Sequence, residues 1–460
     1  MVRDLTKGSP TKLILGFVAS MLVASMMSYV YNMTDSIMVG QFVSTDALGA
    51  ISAASPLNML LSNLSVTTVS GFCIVTGQMF GAGDKKGLRN LSANALYLTV
   101  AVTVLITVIS IVICRPALEW MNTPVSFLDM ATEYMNIIFL ARIFSLVSTL
   151  FAGQLRALGD SKTSLYISLI SGFANVCFNF LFLVVIPLGV AGAAWGTFCS
   201  AALGMLMYLY IMWKKMDILH FGREDAGLSP HLIRRLLANG IPLGLQASIV
   251  SVGSIILQIA VNGHGEDVVT GISTGGKLLN LFWIFFQGFE SALLYFSAQN
   301  LGAGKPERIR KGVKSTLLIN LGIGVVCFVF AIFVGRYVHM LFVGGNEALL
   351  DIADQYLLTQ TAFFPFMVML CTWRGALKGC GSTVPALMCG IIELISRVVV
   401  SVFFADNLTV LYFAGPAAWV ATSIFLAILY PRMLKKLEKK FAADSAPLET
   451  NDPEGALSKT

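Results

Sequence analysis

Long apolar stretches alternate with short polar breaks along this chain. Twelve stretches stand out, at residues 12–39, 46–76, 88–113, 127–154, 163–186, 191–213, 232–261, 268–298, 312–342, 350–376, 383–404 and 415–434. Each reaches the roughly 20 residues that carry an α-helix across a bilayer. They are apolar on all sides rather than along one stripe, as helices facing lipid and each other are. Small residues recur within them, as in Gly189-Val-Ala-Gly-Ala-Ala, and these let helices approach closely in lipid. The alternation of a membrane β-barrel strand is absent. The pattern predicts an all-α membrane protein of twelve transmembrane helices.

Composition agrees. Of 460 residues, 56% are hydrophobic and only 12% charged, and the mean hydropathy is +0.78. A soluble domain carries about 25% charged residues. The net charge of +6 is too small to point to nucleic acid. Most of the eight cysteines lie in apolar runs and no CxxC pair exists, so they read as small hydrophobic fillers. The four histidines, His220, His231, His264 and His339, are scattered and define no metal site. The first apolar run continues from Leu13 to Asp35 and reads as a retained span rather than a cleaved signal.

The distribution of charge says more than its sum. Basic clusters such as Lys85, Lys86 and Arg89, or Lys214, Lys215, Arg234 and Arg235, alternate with loops that hold only Arg115 and Arg336. Under the positive-inside rule this predicts that both termini are cytoplasmic. The hydrophilic segment 214–230 reads as a linker between an N-lobe, 1–213, and a C-lobe, 231–437; residues 438–460 read as a disordered polar tail.

The chain also repeats itself. Gly77-Gln-Met-Phe-Gly-Ala-Gly followed by Arg89 matches Ala298-Gln-Asn-Leu-Gly-Ala-Gly followed by Arg310, an offset of 221 that also aligns Asp46-Ala-Leu-Gly-Ala-Ile-Ser with Asp267-Val-Val-Thr-Gly-Ile-Ser. Nearby offsets pair Gly153-Gln-Leu-Arg with Gly375-Ala-Leu-Lys, and Ala193-Ala-Trp with Ala417-Ala-Trp. Each half then holds six spans. Six is even, so the halves start from the same face and are related by a pseudo-two-fold axis along the membrane normal. Two such bundles enclose a central cleft, although a symmetric scaffold would repeat in the same way. The Gly-Ala-Gly turns lack the Lys-Ser/Thr of a phosphate loop and read as helix C-termini. No nucleophile–base pair is present, and nothing argues for an enzyme.

A charge at the bilayer centre costs about 2.5–3.5 kcal/mol on insertion scales and usually serves function. The sequence singles out Asp35, Arg142, Lys277, Glu290, Glu393 and Arg397. Glu393 and Arg397, at i and i+4, share a helix face and can pair. Glu290 sits among Phe285, Phe286, Phe289 and Tyr295, beside Gln287. That setting suits an organic cation, by charge and by attraction to aromatic faces; it equally suits a lipid-facing aromatic surface. Asp35 has no cation near it in sequence. Asn175 and Asn179, on one helix face, and Thr197 offer uncharged oxygens. Gathered around Asp35, the set suits one small hard cation such as Na⁺. It equally suits one proton, because leaving water favours the neutral carboxyl. Separate interhelical hydrogen bonds are the plainer alternative.

The sequence resembles the multidrug and toxic compound extrusion (MATE) family over nearly its whole length. The marks are Asp35-Ser-Ile-Met-Val-Gly, Ala47-Leu-Gly-Ala, the paired Gln-x-x-Gly-Ala-Gly turns, Leu155-Arg-Ala-Leu-Gly-Asp-Ser and Asn300-Leu-Gly-Ala-Gly-Lys-Pro-Glu-Arg. The resemblance implies two six-helix lobes around a V-shaped cleft. It also implies efflux of organic, often cationic, compounds in exchange for Na⁺ or H⁺, with no cofactor and no partner beyond substrate and bilayer, by a single chain. Asp35 matches the family's first-span coupling acid and Thr197 its sixth-span ligand. The fifth-span pattern Asn-x-x-x-Asp appears as Asn175-Val-Cys-Phe-Asn, which leaves one negative charge and predicts one monovalent ion per cycle. The acids that some relatives carry in spans seven and ten are missing. So is the proline that bends span one in others, since residues 11–39 contain none. A lipid-linked saccharide flippase of the same superfamily is the alternative; it needs a broad cationic cleft, for which Arg142, Lys277 and Arg397 are few.

Overall fold

In the computed structural model, residues 3–445 are described except 122, 217, 220, 221 and 223. The helices of the first half are α1 (Pro10–Phe42), α2 (Thr45–Gly81), α3 (Lys85–Trp120), α4 (Val125–Ala157), α5 (Ser161–Phe180) and α6 (Val190–Lys215). The second half holds α7 (Pro230–Asn262), α8 (Glu266–Gly302), α9 (Pro306–Phe333), α10 (Gly335–Val343), α11 (Glu347–Ala362), α12 (Phe364–Gly379), α13 (Thr383–Phe403), the short α14 (Leu408–Leu411) and α15 (Ala414–Ser445). Eleven of these are long and apolar enough to cross a membrane. The pair α11 and α12 makes a twelfth span, bent by 51°, where Pro365 follows the break and removes a backbone donor.

The observed helices overrun the apolar runs at most ends. Hydropathy stops at the first polar residues, whereas helices continue through their caps. Ser44 and Asp84, for example, accept hydrogen bonds from Ala47 N and Gly87 N at the starts of α2 and α3. The last helix also runs on to Ser445. Residues 438–445 are therefore helical and not part of a disordered tail; the rest of the predicted tail lies outside the described residues. The predicted linker falls between the end of α6 and the start of α7. Helix α1 is unbroken, with Pro10 in its first turn and none inside.

The two halves pack alike. In the first, α1 lies on α5, α2 on α4, and α4 on α6; in the second, α7 lies on α13, α8 on α12, and α12 on α15. The lobes meet chiefly through α2 against α7 and α8, and α1 against α8.

Those contacts concentrate on the face that carries the N terminus. There the repeated Gln-x-x-Gly-Ala-Gly segments cross over. Gln78 Nε2 donates to the Gly379 carbonyl in the other lobe at 3.1 Å, and Gln299 Nε2 donates to the Ala157 carbonyl at 2.7 Å. Both amide oxygens are used as well, Gln78 Oε1 by Arg235 Nη2 and Gln299 Oε1 by the Leu5 backbone, each at 2.8 Å. The glycines permit this: a Cβ at Gly81 would collide with the Gln299 carbonyl oxygen, and one at Gly302 with that of Gln78. The N-terminal segment straps the same face, with Arg3 N on Leu158 O at 3.0 Å and Arg308 Nη1 on Gly8 O at 2.9 Å. Toward the opposite face, Asn63 Nδ2 still donates to Ser251 Oγ at 2.8 Å. Beyond it Met59 and Ile259 are 55% and 65% exposed. The lobes are knit together on the N-terminal face and part toward the other.

Candidate functional site

Four helices of the first lobe present polar stripes to one another. On α1 the stripe is Ala24, Ser28, Tyr31, Asn32 and Asp35; on α5 it is Ser164, Ser168, Ser171, Gly172 and Asn175. On α4 it is Ser145, Ser148, Thr149, Ala152 and Arg156, and on α6 Thr197, Ser200, Ala201, Gly204 and Tyr208. Spacings of three and four residues put each set on one helix face. Together they line an open cavity of about 490 Å³. Each stripe spans twelve residues, about 16 Å of helix rise. The helices alternate in direction, so Asp35, Ser145, Asn175 and Thr197 share the end away from the N terminus. Ala24, Arg156, Ser164 and Tyr208 share the other.

At the first end lies the acid that the sequence singles out. Asn179 Nδ2 donates to Asp35 Oδ1 at 2.6 Å. Asn175 faces the same carboxylate; with its amide nitrogen turned toward Asp35 it donates to Oδ1 at 2.9 Å and Oδ2 at 3.1 Å. Tyr31 OH donates to Leu169 O at 3.2 Å and fixes α1 against α5 one turn before Asp35. Helix α6 comes close enough that a Cβ at Gly196 would collide with Asn179 Oδ1. That oxygen is buried and has no hydrogen-bond partner of its own. A π-helical turn, Leu181–Val185, follows directly, with Ile186 N donating to Leu181 O at 2.7 Å; such turns often mark functional sites. Thr197 lines the cavity, its Oγ1 donating to Ala193 O at 3.1 Å. Asp35, Asn175 and Asn179 are thus in direct contact, and Thr197 shares their cavity. Among the described residues no group of three His, Cys, Asp or Glu is arranged for a metal ion.

The second lobe is built differently. Arg374 holds Glu290 with two parallel bonds, Nε to Oε1 and Nη2 to Oε2, both at 2.9 Å. Its Nη1 reaches Glu393 Oε1 at 3.0 Å. Lys378 Nζ donates to Glu290 Oε1 at 2.9 Å, and Arg397 Nη2 lies 3.6 Å from Glu393 Oε2. The pairing of Glu393 with Arg397 is therefore present but shared with Arg374. Glu290 does not offer a bare carboxylate to an organic cation, because two protein cations already occupy it. Phe289 is buried in the apolar core and Gln287 is exposed, so the three residues form no common pocket wall.

The remaining intramembrane cations have neutral partners. Arg142 Nη2 donates to Asn58 Oδ1 at 2.8 Å and Ser62 Oγ at 2.9 Å, tying α4 to α2. Lys277 Nζ sits 4.3 Å from the centre of the Phe342 ring. Sequence reasoning passed over Arg374, Arg156 and the serine stripes. Repeated Ser, Thr and Asn at i, i+3, i+4 and i+7 within apolar spans were the signal that would have found the stripes.

A doubled six-helix bundle with a polar cavity in one lobe defines a multi-pass membrane protein of the transporter class. The MatE family profile matches residues 20–181 and 242–403, once in each lobe, and the chain belongs to that family. Its members are transporters, not enzymes. Among relatives, the probable multidrug resistance protein YpnP of Bacillus subtilis (strain 168) is 25% identical over 391 residues, covering 85% of this chain and 87% of its own. The multidrug export protein MepA of Staphylococcus saprophyticus subsp. saprophyticus is 21% identical over 407 residues, with coverage of 87% and 88%. Among solved structures, a MATE protein in the bent conformation superposes with a TM-score of 0.87 at 19% identity, over 95% of this chain and 98% of that one. An outward-facing MATE family transporter gives 0.85 at 19% identity, over 96% and 98%. The two family matches repeat the two-lobe symmetry.

Proposed function

We propose that this protein is a secondary antiporter that exports organic small molecules, many of them cationic, in exchange for one Na⁺ or H⁺ per cycle. The observation that carries this reading is the lone carboxylate of Asp35, held by Asn175 and Asn179 at one end of a polar cavity. Several relatives named as multidrug export or resistance proteins support the export of drugs. An amide pair around one acid carries a single negative charge, which one monovalent cation neutralises. Oxygen donors suit Na⁺, and a carboxylate shielded from bulk water suits a proton.

The basic loops place both termini in the cytoplasm of a cell that carries the protein in its plasma membrane. The lobes are then sealed on the cytoplasmic side, and Asp35 sits at the end of the cavity nearer the outside. An ion entering from outside binds one lobe arrangement better; substrate arriving from the cytoplasm binds the other. Exchange follows because each ligand shifts the same equilibrium in the opposite direction. The membrane potential adds about 2.3 kcal/mol per charge per 100 mV to inward cation movement. The flippase alternative is not favoured, because Arg374, Lys378 and Arg397 are engaged by Glu290 and Glu393 rather than lining a cationic cleft.

The test is transport in liposomes under separately imposed Na⁺ and pH gradients. One gradient drives dye export by the wild type, and Asp35→Asn abolishes that response while inserting normally. Wild-type export by Asp35→Asn under both gradients overturns the reading.

A further inference from the structure

Helix α7 is held on two sides and open on a third. Toward α2 the backbones touch: a Cβ at Gly71 would collide with Gly240 Cα, and one at Gly244 with Thr68 Oγ1. Toward α13, Thr383 Oγ1 donates to the Ala238 carbonyl at 2.9 Å. Pro242 has no N–H to offer that carbonyl, four residues back, so the neighbouring helix supplies the missing donor. The third side is a groove of about 710 Å³, lined by Ile233, Arg234, Leu237, Ile241 and Pro242 of α7 and by Leu228 just before it. Its surface is almost wholly apolar, and Leu228 and Ile241 are exposed.

The groove starts on the face that carries the N terminus and runs from Pro230 to Pro242, about 18 Å of helix rise. One leaflet offers about 15 Å of hydrocarbon, half the bilayer core, so an acyl chain has the depth to fill it. Near the mouth, Arg234 is exposed and makes no hydrogen bond or ion pair among the described residues. Its neighbour Arg235 turns the other way, into the lobe interface, and donates to Gln78 Oε1. The surroundings are basic. Asn90 and Asn94 of α3 donate to the Gly227 carbonyl at 3.3 and 3.0 Å. Those bonds bring the start of α3, with Lys85, Lys86 and Arg89 exposed, beside the start of α7. Asp225, in the same linker, accepts from Gly222 N at 3.4 Å, and no described acid lines the groove.

We propose that this groove holds an anionic glycerophospholipid from the leaflet on the N-terminal face, with an acyl chain along Ile233, Leu237 and Ile241 and the phosphate on the Arg234 guanidinium. A guanidinium presents a fork of donors that matches a phosphate. Its stem covers apolar surface while its head reaches the headgroup layer. The phosphate of a zwitterionic lipid brings its own cation, which the basic start of α3 disfavours. A second copy of this chain fits less well, because a two-fold contact here sets two basic, acid-free faces against each other. The lipid packs on the helix whose other side carries the Gly240 contact and the Arg235–Gln78 bond of the lobe interface. The site faces the bilayer rather than the transport pathway and goes beyond the export reading.

Photocrosslinking tests this. A benzophenone amino acid is placed at Ile241, and the purified full-length protein is irradiated in vesicles of equal parts phosphatidylglycerol and phosphatidylcholine. Mass spectrometry identifies the adducts. The same label at Val326 of α9, which is 67% exposed, reports the bulk lipid ratio. At Ile241, phosphatidylglycerol adducts should exceed phosphatidylcholine adducts by about fivefold over that reference, the preference that one cation near the headgroups confers. Arg234→Gln should return the Ile241 ratio to the Val326 value, and Arg234→Lys should keep most of the preference. Equal ratios at the two positions, or a preference undiminished in Arg234→Gln, overturn the proposal. So do cross-links at Ile241 to a second copy of the chain in place of lipid. The readout needs no ion gradient and no transported dye, so the proposal and the antiport reading stand or fall separately.

Discussion

Asp35, half-buried, and Glu290, buried, are both acids in apolar helices, and their neighbours decide what each can do. Glu290 has a bidentate arginine and a lysine. Removing one partner of a buried pair leaves an uncompensated charge, at a cost of about 3–5 kcal/mol. Arg374 serves two acids, so Arg374→Ala should lower thermal stability sharply; a melting temperature in detergent close to that of the wild type would contradict the structural role assigned to the cluster. Asp35 has only amide donors, which stabilise its charge but do not cancel it. Gly196 sets how near one of those amides sits. Gly196→Ala should push Asn179 off Asp35 and weaken ion-driven export while leaving the melting temperature within a few degrees. Dye export under each gradient, compared with the melt, separates the two effects.

At the scale of helices, the paired Gln-x-x-Gly-Ala-Gly segments act as a reciprocal clasp. Each glutamine donates across the lobe interface, and each has its oxygen satisfied from a strap or a neighbouring helix. A neutral hydrogen bond contributes about 1 kcal/mol, a factor of roughly five in the lobe equilibrium. Gln78→Ala and Gln299→Ala should each favour opening on the N-terminal face, with the double variant opening further. Cys73 is fully buried where α2 packs on α4, near Tyr295 of the other lobe, and offers the readout. In a protein retaining only that cysteine, maleimide labelling should accelerate in the single variants and more in the double. Unchanged labelling would mean that packing alone, and not the clasp, seals this face. Larger residues at Gly81 or Gly302 should have a stronger effect, because they exclude the carbonyl that the closed arrangement brings in.

For the whole molecule, the symmetry of the backbone is not carried into the interior. One lobe holds an open, hydroxyl-lined cavity with an acid at one end and a guanidinium at the other. In the other, two acids and three cations from α8, α12 and α13 pair in one ion network. Under the proposed function, variants of the first lobe's polar stripes should change transport and variants of the second lobe's cluster should change stability. The proposed orientation rests on the basic loops, and under it reporter fusions at both ends should report the cytoplasm. A periplasmic or extracellular signal from either end would reverse the direction assigned to the cycle.

The apolar runs, their even number, the basic loops and the internal repeat were all written along the chain. A bilayer forces every span to satisfy its own backbone, so hydropathy reports the helices directly. Asp35, Asn175 and Asn179 were legible too, because polar groups in lipid are rare and i, i+4 spacing fixes a shared face. What the sequence did not carry was partnership. Glu290 reads as a free acid among aromatics until α12 is folded against α8 and brings Arg374 and Lys378 to it. Arg156 reads as the exact counterpart of Lys378 until packing gives one an acid and the other a cavity. Periodicity assigns a residue to a face of its own helix; only the packing of helices far apart in sequence decides which face it meets, and an ionisable group takes its role from that meeting.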